Sequence, residues 1–179
     1  SSTVGLTADN GNITLDGTAA IEAVDGAIAQ NGGTLLFKGP LTIGSTEIGI
    51  IADDDNSNIT VEGKSVLDGA DGVLAENGGT ILFNGPLTLT STATGLTADE
   101  GSITVEGEAV LNGAYGALAE YGGTILFNGP LTLTGTATGL MADDSDITVE
   151  REAALNGADG AVAQNGGTIL FKGPLTIHS

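Results

Sequence analysis

The sequence predicts an all-β protein, a single-stranded parallel β-helix in which three short strands make each coil of a β-solenoid. Three observations support this prediction: a unit that recurs at a nearly constant interval, short stretches in which apolar and polar residues alternate, and Gly, Asn or Asp between the stretches. Helical repeats of similar length would show apolar residues at i, i+3 and i+4, and that spacing is missing. We expect residues 1–179 to form one repeat domain.

The repeating unit has 21–23 residues and occurs eight times. Its longest recurring string, Asn-Gly-Gly-Thr-Leu-Leu-Phe-Lys-Gly-Pro-Leu-Thr-Ile at 31–43, returns with small changes after 46, 44 and 44 residues. A related motif, first seen at 5–17, lies between these copies, so two coil types alternate in four repeats of 44–46 residues. Every coil starts at a glycine: Gly5, Gly26, Gly49, Gly72, Gly95, Gly116, Gly139 and Gly160.

Alternation along the second strand of each coil predicts which side chains point inward. A large side chain then lies over a smaller one along the stack, as dense packing requires. The inward series is Leu15, Phe37, Val61, Phe83, Val105, Phe127, Val149 and Phe171. In seven coils a glycine follows closely after this strand, as Gly39 does, and we expect it to turn the corner with a positive φ; Arg151 takes its place in the remaining coil.

Apolar side chains are also expected on the outside of the coils. The first strand is apolar at both parities, so alternation leaves open which of its two sets points inward. A contiguous exposed apolar surface marks an interface. The predicted interface residues are Leu36, Leu82, Leu126 and Leu170 in the second strand, and Ile28, Ile51, Leu74, Leu118, Met141 and Val162 in the first.

Acidic residues recur at the corner that follows the first strand. Stacked coils lie ~4.8 Å apart, so neighbouring carboxylates repel unless water solvates them or a cation bridges them. Calcium prefers carboxylate and amide oxygens, and the predicted set is Asp53, Asp54, Asp55, Asp99, Asp143, Asp144 and Asp146. A solvated acidic edge explains the same residues, and no EF-hand pattern is present. Calcium is therefore an optional cofactor, and no other cofactor is predicted.

Composition excludes several partners. The formal net charge is −19 with four basic residues, and such a surface repels nucleic-acid phosphates and anionic membranes. No apolar run approaches the ~18 residues of a membrane helix. There is no cysteine, hence no disulfide or thiolate metal site. The sequence starts at Ser1 without methionine, which suggests a mature or excised piece.

The repeat argues against catalysis, and no catalytic residue is predicted. His178 is the only histidine, and the acids recur in nearly every coil, whereas a catalytic site breaks repeat symmetry. A β-helix enzyme that acts on polysaccharides through paired carboxylates is a remote alternative. Ice binding is another: Thr42, Thr88 and Thr132 lie in one outward row with Thr176, but Thr-x-Thr pairs do not recur on every coil.

The coil motifs resemble a known group of proteins. Gly-Gly-Thr-Ile-Leu-Phe at 78–83 and Ser-Ile-Thr-Val-Glu at 102–106 alternate in the style of the passenger domains of Gram-negative autotransporter adhesins and filamentous haemagglutinin-like proteins. The resemblance covers essentially the whole chain. It implies a right-handed parallel β-helix that is exported and displayed at the cell surface, where it serves adhesion, aggregation or surface structure.

Two functions fit these observations: a self-assembling structural protein of an extracellular filament, sheath or surface layer, and an adhesin-type passenger segment. An adhesin should carry capping ends and a loop-decorated region, and neither is obvious, which favours the first function or a fragment cut from a long array. Joining the tail of one copy to the head of the next leaves six linking residues where internal junctions have five. We therefore expect a homo-oligomer or filament that stacks end to end, with the apolar rows in lateral contact.

Overall fold

The computed structural model describes residues 3–178 as twenty-four β-strands without any helix. The strands form three eight-stranded parallel sheets, and neighbours within each sheet come from successive coils. One strand of each sheet belongs to each coil, so the predicted β-solenoid with three strands per coil is confirmed. Within this range no helix is long and apolar enough to cross a membrane. The predicted linking residues Ser1, Ser2 and Ser179 lie outside the described part of the chain.

The strands are named in chain order and the sheets A, B and C by their order within a coil. Sheet A contains β1 (Val4–Asp9), β4 (Asp25–Gln30), β7 (Ile48–Asp53), β10 (Asp71–Glu76), β13 (Thr94–Asp99), β16 (Tyr115–Glu120), β19 (Thr138–Asp143) and β22 (Asp159–Gln164). Sheet B contains β2 (Asn12–Leu15), β5 (Thr34–Phe37), β8 (Asn58–Val61), β11 (Thr80–Phe83), β14 (Ser102–Val105), β17 (Thr124–Phe127), β20 (Asp146–Val149) and β23 (Thr168–Phe171). Sheet C contains β3 (Ala19–Ala23), β6 (Leu41–Ser45), β9 (Ser65–Gly69), β12 (Leu87–Ser91), β15 (Ala109–Gly113), β18 (Leu131–Gly135), β21 (Ala153–Asn156) and β24 (Leu175–His178).

The core follows the predicted inward series of sheet B. Phe83 is fully buried and pairs in register with Val61 on one side and Val105 on the other. Phe37 and Phe127 are fully buried in the same way. A fully buried apolar side chain contributes about 1.5–3 kcal/mol before the entropy cost, so stability is spread over many similar ladders.

Sheet A shows which of the two apolar sets of the first strand points inward, a question that the sequence left open. Ile50, Val73 and Leu96 point inward and are fully buried or nearly so. Two residues further along each of these strands an alanine is fully buried, for example Ala75. The other parity, which includes Ile51 and the rest of the predicted sheet A interface residues, therefore lies on the outer face.

The expectation of positive φ at the corner between sheets B and C is wrong. Within residues 3–178 the glycines with positive φ are Gly32, Gly78, Gly122 and Gly166, all at the corner between sheets A and B. Gly39 is required for a different reason: a Cβ there would lie 2.5 Å from the carbonyl oxygen of Gly17 in the preceding coil. The glycines of this column allow adjacent backbones to stack closely.

Candidate functional site

The most unusual group of side chains is a row of five carboxylates at the outer edge of sheet A, which we call the carboxylate ladder. Each is the last residue of its strand, on successive coils ~4.8 Å apart. Asp53 pairs in register with Glu76, and Glu120 pairs with both Asp99 and Asp143. The corner from sheet A to sheet B thus gathers negative charge along the rod axis.

The environment of the ladder opposes ionisation of its glutamates. Partial burial raises the pKa of Glu76 above the ordinary 4.5, and the charges of Asp53 and Asp99 raise it further, with a smaller effect of Asp54. Burial likewise raises the pKa of Glu120, followed by the charges of Asp99 and Asp143. Each glutamate carries the combined cost of desolvation and of like charges on both sides.

Neutral amide donors stabilise the two ends of the ladder. The Asn77 amide donates to Asp53 at 2.8 Å. At the other end Gln164 and Asn165 donate to the two oxygens of Asp143, at 2.9 and 2.6 Å. Among the described residues the three central carboxylates, Glu76, Asp99 and Glu120, have no side-chain hydrogen bond or ion pair.

The predicted calcium residues are spread over several places. Asp53, Asp99 and Asp143 belong to the ladder, where Glu76 and Glu120, left out of the predicted set, lie between them. Asp54 and Asp144 each follow a ladder residue, and Asp55 lies in the longer corner 54–57. Asp146 begins β20 in sheet B, between Thr124 and Thr168. The two acidic clusters, centred on Asp53 and Asp143, are four coils or ~19 Å apart.

Calcium binding stays a prediction. Across residues 3–178 no three side chains of His, Cys, Asp or Glu converge in a way that could hold a metal ion. Amide side chains and bound water are the further oxygen ligands that calcium accepts. The ladder offers carboxylates on one line, and no described group of acids surrounds a point.

In all eight coils the residue directly after the sheet A strand adopts a left-handed backbone conformation. This conformation is unfavourable for most L-residues, and Asn and Asp tolerate it best. Six of these eight corner residues are Asn or Asp, while Glu100 and Tyr121 are exceptions with φ of 53° and 52°. The column consists of Asn10, Asn31, Asp54, Asn77, Glu100, Tyr121, Asp144 and Asn165, and Asn56 is also left-handed.

Two buried serines anchor this corner, and the sequence analysis did not identify them. The Ser57 hydroxyl accepts a hydrogen bond from the Gly32 N–H at 3.0 Å, and the Ser145 hydroxyl accepts one from the Gly122 N–H at 3.1 Å. Ser145 directly follows Asp144, whereas Asn56 separates Ser57 from Asp55. The sequence does carry a feature that marks these two serines: most coils have glycine at this position, and a run of acids lies next to the serine.

The predicted interface rows both lie on outer faces. On sheet B, Leu36, Leu82 and Leu126 alternate with threonines and are half-buried, and Leu170 is 45% exposed on the last coil. On sheet A the row is more continuous, because only two threonines interrupt it. We call it the sheet A row: Thr7, Ile28, Ile51, Leu74, Thr97, Leu118, Met141 and Val162.

The basic side chains lie away from the ladder. Lys38 pairs with Asp16 at 2.7 Å and Lys172 with Glu150 at 2.6 Å, as the stacking of coils predicts. The hydrogen bond that Lys38 donates to Asp16, then the charge of Asp16 and more weakly that of Glu62, raise the pKa of Lys38. Lys64 and Arg151 lie at the corner between sheets B and C. These four are the only Lys and Arg of the chain.

Comparisons of this chain with protein-family models, with curated proteins and with solved structures found no match. The resemblance to autotransporter passenger domains and filamentous haemagglutinin-like proteins therefore rests on the coil motifs alone.

Proposed function

We propose that this chain is a structural solenoid of an extracellular filament, sheath or surface layer, and that copies stack coil on coil, head to tail. The observation that carries the proposal is the complementarity of the first and last described coils. The coil that starts at Gly160 is of the Phe type and the coil that starts at Gly5 is of the Leu or Val type. Placing the second on the first continues the alternation of large and small side chains, with Phe171 beneath Leu15 of the next copy.

Charge supports the same contact. The partner of Lys172 is Glu150, and the head-to-tail contact places Asp16 of the next copy on its other side. Lys38 has that arrangement within the chain, between Asp16 and Glu62. Unpaired strand edges template pairing with another chain.

Lateral contacts between rods fit sheet B better than sheet A. Beside the alternating Leu and Thr of sheet B runs a column of mixed charge, in which Lys38 and Lys172 form ion pairs with Asp16 and Glu150. On sheet A the carboxylate ladder lies beside the row, so two copies that met there would bring like charges together. We therefore assign the lateral contacts to sheet B.

Disulfide trapping tests the head-to-tail contact, because the chain has no cysteine of its own. Ala20 and Thr176 lie in one outward column of sheet C, and the proposed contact makes them neighbours at ~4.8 Å, within disulfide range. We expect the variant Ala20→Cys with Thr176→Cys to form a ladder of reducible multimers on oxidation. The control, Ala20→Cys with Thr132→Cys, places the second cysteine two coils earlier and should not. A wild-type chain that sediments as a monomer at high concentration, together with no ladder, contradicts the proposal.

A further inference from the structure

The sheet A row and the carboxylate ladder form one surface with two chemical stripes. Leu74 and Glu76 both belong to β10, and Leu118 and Glu120 both belong to β16. Side chains two residues apart on a strand project from the same face. An apolar stripe therefore runs along the rod axis beside a parallel stripe of carboxylates, over the five coils from Asp53 to Asp143.

The charge on this surface has no internal counterpart. Both ion pairs of residues 3–178 use carboxylates of the column that follows sheet B, at Asp16 and Glu150. The three central ladder carboxylates have no partner among the described side chains, and burial with mutual repulsion raises the pKa of Glu76 and of Glu120. An external cation next to these groups would relieve both effects.

The two stripes together identify the kind of partner. Another copy of this surface would oppose its charge, and a simple cation would leave the apolar stripe uncovered. A polypeptide with adjacent apolar and basic stripes matches both. An amphipathic α-helix presents an apolar residue on average every 3.5 residues, or about 5.3 Å along its axis, close to the ~4.8 Å between coils.

We propose that the outer face of sheet A is a docking surface for a basic amphipathic α-helix that lies along the rod axis. Its apolar side chains contact the sheet A row between Ile51 and Met141, and its Lys or Arg side chains pair with the carboxylate ladder. The ladder spans four coil intervals, about 19 Å, which corresponds to roughly 13 helical residues. The proposal does not depend on end-to-end assembly, because it uses internal coils only.

The chain itself supplies substitutions that the fold accepts. Threonine already occupies the sheet A row at Thr7 and Thr97, so Leu74→Thr with Leu118→Thr removes the apolar contact with a residue native to that row. Glutamine already occupies the column of the ladder at Gln30 and Gln164. Glu76→Gln with Glu120→Gln therefore removes charge with a residue native to that column. Leu82→Thr with Leu126→Thr is the matched control on sheet B, where threonine alternates with leucine.

The probe is a synthetic amphipathic helix of Lys and Leu, compared with a peptide of the same composition in scrambled order and with a Glu and Leu helix. Binding is measured by fluorescence anisotropy of labelled peptide, and thermal melts verify that each variant is folded. We expect the Lys and Leu helix to bind the wild type more tightly than either comparison peptide. The Thr variant on sheet A should weaken its binding about tenfold and the Gln variant about fivefold. The sheet B control should bind as the wild type does.

Four results would overturn the proposal. Equal binding of the scrambled peptide, or loss in the Gln variant with none in the Thr variant on sheet A, would reduce the effect to charge attraction alone. Equal weakening by the sheet B control would place the contact elsewhere. Sedimentation showing that Leu74→Thr with Leu118→Thr dissociates an oligomer in the absence of peptide would make a second copy the occupant of this face.

Discussion

Tyr121 provides the sharpest test of the corner geometry. It has φ of 52°, in a column where Asn predominates, and its side chain is 67% exposed. Residues 72–94 and 116–138 are identical at 20 of 23 positions, and Asn77 takes the place of Tyr121 in the first of these coils with φ of 51°. We expect Tyr121→Asn to stabilise the protein, because asparagine tolerates this conformation better and the tyrosine ring buries little surface.

The magnitude follows from the backbone. A left-handed conformation costs an ordinary L-residue roughly 1–2 kcal/mol, and asparagine avoids much of this. The new amide also has Asp99 as a neighbour, in the place that Asp53 takes beside Asn77. A gain of about 1 kcal/mol corresponds to a rise in Tm of about 2–4 °C for a chain of this size. Far-UV circular dichroism during thermal unfolding measures it.

The other tyrosine is the matched control. Tyr115 is 41% exposed but lies in β16 and is not among the residues with positive φ. Tyr115→Asn should therefore give no gain, and a small loss is expected because asparagine is unfavourable in strands. The reverse change, Asn77→Tyr, should lower Tm by at least as much as Tyr121→Asn raises it. An unchanged or lower Tm for Tyr121→Asn would refute the strain argument.

Four further predictions concern the core, the ladder and calcium. Ser65 is buried without a hydrogen-bond partner at a position where Ala109 and Ala153 occur in equivalent coils, so Ser65→Ala should stabilise by about 1–2 kcal/mol in urea unfolding; a loss would indicate a hidden partner. At a concentration where the chain is monomeric, Phe83→Ala should cost about 3–5 kcal/mol and Phe171→Ala clearly less, because Phe171 is only partly buried within one copy; equal losses there would contradict the stacking of coils. The pKa values of Glu76 and Glu120 are raised in the folded state, so above pH 4.5 the folded protein binds more protons than the unfolded chain. The free energy of unfolding contributed by these two groups should therefore rise as pH falls towards 4.5 and level off below it. The variant Glu76→Gln with Glu120→Gln should flatten that part of a Tm–pH profile. If calcium binds at the acidic corner, Tm should rise with calcium beyond the effect of equal ionic strength, and identical melts in chelator and in calcium would leave only a solvated edge.

The sequence predicted the strands well because their pattern depends on local alternation. The series through Phe83 and Val105 follows directly from a period of two, and the buried inward residues agree with it. In the first coil, alternation alone places the first strand at residues 5–8, whereas β1 spans Val4–Asp9, one residue further at each end. Such limits depend on pairing with the next coil, which a single strand does not encode.

The corners were harder to predict, because contacts between coils decide their conformation. Gly39 was expected to need a positive φ, yet the restriction there comes from the carbonyl of Gly17 in the preceding coil. The hydroxyl of Ser57 has its partner, the Gly32 N–H, 25 residues away. The candidate site lies at such a corner: the column of acids recurs visibly in the sequence, but the partial burial of Glu76 and Glu120 between their neighbours depends on the packing of the coils.

The composition of the ladder argues for a role outside the fold. Gln30 and Gln164 show that a neutral amide fits the same column and donates to a neighbouring carboxylate, at 3.2 Å to Asp9 and 2.9 Å to Asp143. Glutamine at Glu76 and Glu120 would remove the repulsion at no evident structural cost. The central coils instead hold five consecutive carboxylates, with Glu100 in a strained conformation beside them. Since features that oppose local stability concentrate at functional sites, the ladder and its apolar neighbours are where contact with another molecule is expected.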